Sequence, residues 1–375
     1  MTYLNARSPT DVSASTLPAR FYTDPAWLRE ELEHIHYAMW LYAGRAERIV
    51  APGDFFLVEL GNASVLVVRD EAGQIRAHHN VCRHRGTLLC TEHEGHLPGR
   101  VRCRYHAWTY RLDGTLAHAP HMDKVHGFSE RDYPLRPVAL ATWAGHIFIN
   151  LSENPTPFAE HLAGLDAKFR HWTMHELRSV ERRTYQLEAN WKLIIQNYHE
   201  CLHCPTAHPE LNRRSHYLSG ENEPPQPSYL GARMDLREGF STLSLSDTPR
   251  RAPFPDLDEQ ERRSVYYYAL LPNLLLNLHP DYVVTFRFNP RAVDATEIVC
   301  EWLFHPRDIE ASGFDPSDAI EFWDLTNRQD WELSTLAQAG IRTRGYQPGP
   351  YSNREELLAA LDRWVMARVG RETQR

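Results

Sequence analysis

Two short segments constrain this chain more than any other: Val81-Cys82-Arg83-His84-Arg85-Gly86 and, after an interval of 18 residues beyond His84, Cys103-Arg104-Tyr105-His106-Ala107-Trp108. Each offers one thiol and one imidazole, and each lies between strand-like runs. A fold that gathers Cys82, His84, Cys103 and His106 must therefore bring two hairpin tips together. The surrounding sequence agrees. From Gly53 to about Leu151, apolar runs such as FFLVEL and SVLVVRD are separated by Gly61-Asn62 and by Glu71-Ala72-Gly73, the pattern of antiparallel strands.

Zinc accepts two cysteines and two histidines, but a zinc finger's histidines stand together on a helix. Here each loop supplies one thiolate and one imidazole. That distribution suits a [2Fe-2S] cluster of Rieske type, in which two cysteines hold one iron and two histidines hold the other. Neutral imidazoles lower the negative charge at the reducible iron and so raise its potential. Six cysteines in 375 residues are too sparse for a disulfide scaffold, which also points to metal. Cys90, His93 and His96, in the intervening loop, are expected to be non-ligands.

Elsewhere the organisation changes. From Leu17 to Arg45 the apolar positions Trp27, Leu28, Leu32, Ile35, Met39 and Trp40 recur at helical spacing and predict an N-terminal helix. Pro155 and Pro157 mark a boundary, after which helices over 161–170 and 189–204 mix with strands over 282–288 and 297–304. The stretch 220–258, rich in Pro, Ser and charge, reads as a lid or, by the simpler reading favoured here, a mobile surface connection. Ser352-Asn353-Arg354-Glu355 predicts a capping box that opens a final helix closed by Gly370.

A second constellation lies in NWKLIIQNYHECLHCPTAHPEL. Glu200 and His203 are placed on one helical face, Pro205 ends the helix, and His208 follows five residues after His203, so both imidazoles can enter one pocket. Ferrous iron in oxygenases is held by two histidines and one carboxylate, with open positions left over. The carboxylate must come from elsewhere; Asp324, Asp330 and Glu332 lie together in a helical stretch ending at Gly340.

CRHRG followed by CxYHAW is similar to the Rieske signature of the ring-hydroxylating oxygenase alpha subunits, the Rieske non-haem iron oxygenases. The spacing is slightly long, and Ala107 stands where glycine is more often found. The resemblance runs from Leu17 to the C-terminal helix. An aspartate several residues before a QxG, here Gln338-Ala339-Gly340, makes Asp330 the implied third ligand. The implied fold is α+β, an all-β Rieske [2Fe-2S] domain followed by a helix-grip (START-like) catalytic domain on an antiparallel sheet. The expected divisions are 1–45 as a helical segment packing on the catalytic domain, 46–155 as the Rieske domain and 156–375 as the mononuclear iron domain. The family commonly forms trimers in which one subunit's cluster lies beside its neighbour's iron. Glu200, where the family usually has aspartate, would bridge His203 or His208 to His106 or His84 across that boundary.

With 41 basic against 49 acidic side chains the net charge is -8, which repels polyanions, so nucleic acid is excluded as a partner. Residues 265–278 are too short and too broken to span a bilayer, and no basic segment with an apolar run opens the N-terminus, so a cytoplasmic protein is expected. Neither a GxGxxG fingerprint nor a second cysteine cluster is present, so electrons are expected from a separate NAD(P)H-dependent reductase, with O2 as co-substrate. Glu200, LLPNLLLNLHPDY and FWDLTNRQDW make the chain resemble monooxygenases of quaternary ammonium compounds such as glycine betaine, carnitine and choline. Such enzymes hydroxylate an N-methyl or adjacent carbon. Tyr266, Tyr267, Tyr268, Tyr282, Trp323 and Trp331 could meet a trimethylammonium group, with His279 and Asp281 as further candidates. The rival expectations are ring hydroxylation or O-demethylation of an aromatic substrate, and a non-catalytic electron-transfer or sensor protein.

Overall fold

The computed structural model describes residues 14–370. Its contacts divide the chain into two compact units, one of Tyr42–Pro155 and one in which the residues up to Leu41 join Thr156 onward. Among the described residues no helix is long and apolar enough to cross a membrane.

The stretch expected as one helix over Leu17 to Arg45 is broken. α1 (Arg20–Thr23) stops at Asp24, whose carboxylate accepts from Ala26 N at 2.8 Å and caps α2 (Pro25–Glu31). Pro25 has no N–H to give a preceding turn and sits at a helix start, where none is needed. One π-helical turn (Leu32–His36) follows, and the chain is extended by β1 (Leu41–Arg45). The helical periodicity still has a cause, because Leu28 and Ile35 are buried in the core of the larger unit.

The unit Tyr42–Pro155 is all-β. Its further strands are β2 (Asp54–Leu60), β3 (Ala63–Arg69), β4 (Ile75–His79), β5 (Glu94–His96), β6 (Arg100–Arg102), β7 (Thr109–Arg111), β8 (Leu116–His118), β9 (Ala139–Trp143) and β10 (His146–Asn150). They form sheets ordered β4-β3-β2-β5, β6-β7-β8 and β1-β10-β9. FFLVEL and SVLVVR pair antiparallel, Phe55 opposite Val68 and Leu60 opposite Ala63, and Gly61 turns between them at φ +56°. That left-handed conformation costs glycine nothing in sterics.

The larger unit is a seven-stranded antiparallel sheet wrapped on a long helix. Its helices are α3 (Phe158–Leu162), α4 (Leu165–Lys168), α5 (Trp191–Tyr198), α6 (Cys204–Ala207), α7 (Pro209–Arg214), α8 (Glu259–Arg262), α9 (Pro306–Ile309), α10 (Ser317–Ile341) and α11 (Glu356–Val369). Its strands are β11 (Arg178–Leu187), β12 (Glu221–Asn222), β13 (Tyr229–Asp235), β14 (Ser264–Leu270), β15 (Leu274–Leu278), β16 (Val283–Ala292) and β17 (Ala295–Phe304), in the order β11-β17-β16-β15-β14-β13-β12. The register sets Tyr267 opposite Asn277, Asn277 opposite Val284 and Val284 opposite Trp302, so these four share one face of the sheet. Trp323 of α10 meets that face, its ring centre 6.4 Å from that of Tyr267.

Three local expectations are corrected. The helix expected over 161–170 is split by Ala163 and Gly164, both left-handed. The stretch 220–258 is no mere connection: β13 is a strand within it, and Arg251 is buried with Asp281 at 2.9 Å and Asp318 at 2.7 Å. α11 begins at Glu356 and not at Ser352, because Glu355 accepts from Ser352 N at 2.7 Å while the Ser352 hydroxyl accepts from Arg354 N, leaving the box half formed.

Candidate metal centres

The two cysteine-histidine loops are built alike. Cys82 N donates to Thr87 O and Cys103 N to Trp108 O, both at 2.8 Å, while Gly86 N and Ala107 N donate back to the carbonyls of Cys82 and Cys103 at 3.0 and 3.1 Å. Closing such a loop requires a left-handed residue, which is Gly86 at φ +73° in one and Ala107 at +57° in the other. Both sulfurs are buried, and the two thiols are hydrogen-bonded to each other. Burial works against a thiolate at Cys103, but the amides of Tyr105 and His106 and the side chain of Thr87 hold it below the usual thiol value. Burial dominates at Cys82 and raises it, although Tyr110 Oη lies 3.4 Å from its sulfur. The imidazoles of His84 and His106 stand edge to face, 4.7 Å between centres, and His84 stacks on Trp108 at 4.9 Å. All four expected residues are thus together, with sulfurs buried and imidazoles toward the surface, the donor set a Rieske cluster takes. His93 and His96 lie elsewhere, beside Glu59 and Asp54, and Cys90 is a buried free thiol whose pKa burial pushes up to about 11.

The second set hangs from α5. Asn190 caps this helix by accepting from Lys192 N at 3.0 Å and donates to Val293 O at 2.6 Å. The fully buried Lys192 ammonium meets Glu31 Oε1 at 2.5 Å, and Trp191 Nε1 donates to the other oxygen at 2.7 Å. The helix expected over 189–204 ends at Tyr198, so Glu200 and His203 do not share a helical face; both lie in the loop before α6. They meet all the same, because the loop turns Glu200 Oε1 to 2.5 Å from His203 Nδ1.

Asp330 Oδ1, from α10, lies 3.2 Å from His203 Nε2 and 2.8 Å from His208 Nε2. His208 Nδ1 in turn lies 2.8 Å from Gln329 Oε1. Each ring therefore gives its Nδ1 proton to an acceptor and aims Nε2 at Asp330, so that release of the Nε2 proton leaves the tautomer that metal binding through Nε2 requires. Burial disfavours a charge on His203, yet the Asp330 and Glu200 carboxylates outweigh it and push the ring up to about 10. Burial likewise opposes ionisation of Asp330, and its bonds from His203 and His208 hold it below the usual carboxylate value. This concentrated negative potential between two inward nitrogens fits a divalent cation. Asp324, the discarded alternative, is committed instead to Tyr185 at 2.6 Å and Arg328 at 2.7 Å.

A cavity of about 50 Å³ opens on this set, and Tyr198, Tyr267 and Trp323 form its aromatic wall. Of the aromatic candidates, Tyr267 and Trp323 line it. Tyr266 packs on Trp172, Tyr268 on Phe169, and Tyr282 is stacked on His279, all outside it. Trp331 lines a separate open groove of about 780 Å³ with Tyr185. His279 accepts from Trp323 Nε1 at 3.0 Å, and Asp281 is held by Arg251. Sequence reasoning overlooked Tyr198, Gln329 and a disulfide between Cys201 and Cys204 in the cavity wall. Only the bridge was signalled, by the spacing Cys-Leu-His-Cys.

Comparison with known proteins bears on both halves. Residues 39–129 match the Rieske [2Fe-2S] domain, and residues 174–371 match the ring hydroxylating alpha subunit (catalytic domain). The chain is 32% identical to the glycine betaine monooxygenase oxygenase subunit of Chromohalobacter salexigens, over 91% of this chain and 83% of that one. It is 30% identical to the carnitine monooxygenase oxygenase subunit of Escherichia coli, over 89% and 86% respectively. A solved quaternary ammonium Rieske monooxygenase, studied for carnitine oxidation by gut microbiota, superposes with a TM-score of 0.81 at 25% identity, covering 95% of each chain. This one polypeptide holds a cysteine-histidine site on paired hairpin tips in one unit, two histidines facing an aspartate in the other, and both family matches. The chain belongs to the Rieske non-haem iron oxygenases, oxidoreductases with a [2Fe-2S] cluster and a mononuclear iron, as an oxygenase alpha subunit.

Proposed function

We propose that this subunit hydroxylates an N-methyl group of a small quaternary ammonium compound such as glycine betaine, after which the product breaks down to an aldehyde and an amine. The observation that carries this is the cavity wall: Tyr198, Tyr267 and Trp323 face the space beside Asp330 and Glu200, and no lysine or arginine is among the lining residues. A cation without N–H donors is bound by aromatic faces, each contributing roughly 0.5–2 kcal/mol once desolvated. The Glu200 and Asp330 carboxylates reinforce that field around a trimethylammonium group. The relatives named for glycine betaine and carnitine support the same substrate class.

When bound, the iron centres supply one-electron storage and dioxygen activation. Cys82, His84, Cys103 and His106 would hold the cluster; His203, His208 and Asp330 would hold the mononuclear iron. Glu200 keeps the proton on His203 Nδ1 and Gln329 keeps it on His208 Nδ1, so that the Nε2 nitrogens facing Asp330 are the ones that would give up their protons to a metal. Tyr198, Tyr267 and Trp323 orient the cation so that one N-methyl group faces this set. Electrons come from a separate NAD(P)H-dependent reductase, and the working assembly is a homotrimer in which Glu200 also couples to His84 or His106 of a neighbouring subunit.

Oxygen uptake and formaldehyde release with a surrogate reductase test this directly. Glycine betaine, carnitine and choline should include a substrate that yields formaldehyde in step with oxygen, while aromatic acids and aryl ethers do not. Turnover of the aromatic compounds alone would establish the rival oxygenase activity, and uptake with neither group would favour a relay or sensor.

A further inference from the structure

Two sulfurs in the wall of the metal cavity serve neither the ligand set nor the aromatic wall. Cys201 and Cys204 flank His203, are buried, and are joined as a disulfide with Cα atoms 5.0 Å apart. That separation is ordinary for a disulfide. Cys204 Sγ and ligand nitrogens of His203 and His208 all lie within 4.8 Å of one another. A bridge across three residues constrains the unfolded chain only slightly, so stability gives little reason for it. Cysteines spaced Cys-x-x-Cys are instead the common arrangement for exchange between dithiol and disulfide. The cavity reaches both residues, so a small oxidant inside it meets the pair directly.

We propose that Cys201 and Cys204 form a reversible dithiol–disulfide pair oxidised by hydrogen peroxide in the metal cavity. One sulfur attacks the O–O bond of the peroxide, becomes a sulfenic acid and releases water. The second sulfur displaces the hydroxyl group from the first, the S–S bond forms, and a second water leaves. Two thiols and one peroxide thus give one disulfide and two waters, with two electrons passing from sulfur to oxygen. A small dithiol reverses the step by exchange and ends as its own disulfide. Hydrogen peroxide is the two-electron reduction product of dioxygen, so its local source rests on the function proposed above, whereas the sulfur chemistry does not. Closing the bridge ties the backbone on both sides of His203 and consumes the oxidant before it reaches the imidazoles.

The test reads thiols and not turnover. Holoprotein is reduced with dithiothreitol, freed of it without air, treated with one equivalent of hydrogen peroxide, then denatured, alkylated and digested. The peptide spanning residues 201–204 should lose two hydrogens and take no alkyl label, then regain both labels after renewed reduction. Peptides carrying the buried Cys90 and Cys300 should remain labelled throughout. In Cys201→Ser, given two equivalents of peroxide, the unpartnered Cys204 should take the first to reach the sulfenic acid and the second to reach the sulfinic acid, releasing one water at each step, and dithiothreitol does not reverse the product. Full labelling of both cysteines after peroxide, or pairing of either one with another cysteine, would overturn the proposal. Because peroxide is added, a protein that cycles these thiols without oxidising N-methyl cations would sink only the proposed substrate class, and the converse would sink only the thiol pair.

Discussion

At the scale of single residues, the proposed iron site has two acceptors on the outer side of its histidines. Glu200 and Gln329 each hold a histidine Nδ1 proton, and they differ in charge. Glu200→Gln should retain both metals but slow turnover roughly 10- to 100-fold, because a neutral amide is a weaker acceptor for the His203 Nδ1 proton than a carboxylate. Gln329→Leu should weaken mononuclear iron binding by about 10- to 100-fold and leave the cluster's visible absorption unchanged, with Gln329→Glu restoring binding. Iron titration followed by steady-state rates separates the two effects, and near-normal behaviour of both variants would mean that tautomer control is unimportant here. The pairing of His203 with His208 was legible from their spacing, and the meeting of both with Asp330 from the family resemblance around Gln338-Ala339-Gly340. Gln329 and Tyr198 were not, because an amide or a phenol gains its role only once the chain brings a partner to it.

Among the elements, α5 is placed by the segment Asn190-Trp191-Lys192, and its fully buried ion pair with Glu31 ties the N-terminal helices to the loop that bears Glu200 and His203. Burial alone would lower the lysine pKa, and the Glu31 carboxylate opposes that. Lys192→Met orphans the carboxylate and should destabilise the protein by about 3–5 kcal/mol, with Glu31→Gln added to it recovering part of the loss. A loss below about 1 kcal/mol in denaturant unfolding would show that water reaches the pair. In the cluster loops, alanine pays for the left-handed turn that Gly86 makes freely. Ala107→Gly should raise stability by about 0.5–1 kcal/mol without altering the cluster spectrum, a gain absent if the loop relaxes in solution. Strands were the more legible elements, since FFLVEL and SVLVVR carry their own period and their turn. Helix limits were less so. Pro25, the left-handed pair Ala163-Gly164 and the stop after Tyr198 cut helices whose apolar period runs on beyond them, because packing and not periodicity decides where a helix ends.

Across the whole molecule, buried neutral histidines set the response to acid. Burial, with the nearby Lys192, lowers His36 to about 3; burial lowers His199 to about 3, and burial with Arg368 lowers His161 to about 4. His146 and His279 are held well below the ordinary value, again chiefly by burial. For each, the unfolded chain takes up a proton near pH 6.5 that the folded chain refuses, so stability is lost as pH falls below that value. Asp281 and Asp362 act oppositely, since burial raises both to about 6 and the folded state then binds their protons first. The histidines outnumber them. Stability should therefore fall by several kcal/mol between pH 6 and 4, each unmatched proton contributing about 1.4 kcal/mol per pH unit. Thermal midpoints measured across that range check it, and a flat profile would mean that these rings are hydrated or paired in solution. The two-centre architecture is tested most directly by metal analysis and electron paramagnetic resonance on anaerobically reduced wild type and His208→Ala. Wild type should give a Rieske-type signal and contain mononuclear iron beyond the cluster; the variant should keep the signal and lose that iron. Zinc in place of iron, or reduced protein without a Rieske-type signal, would contradict it.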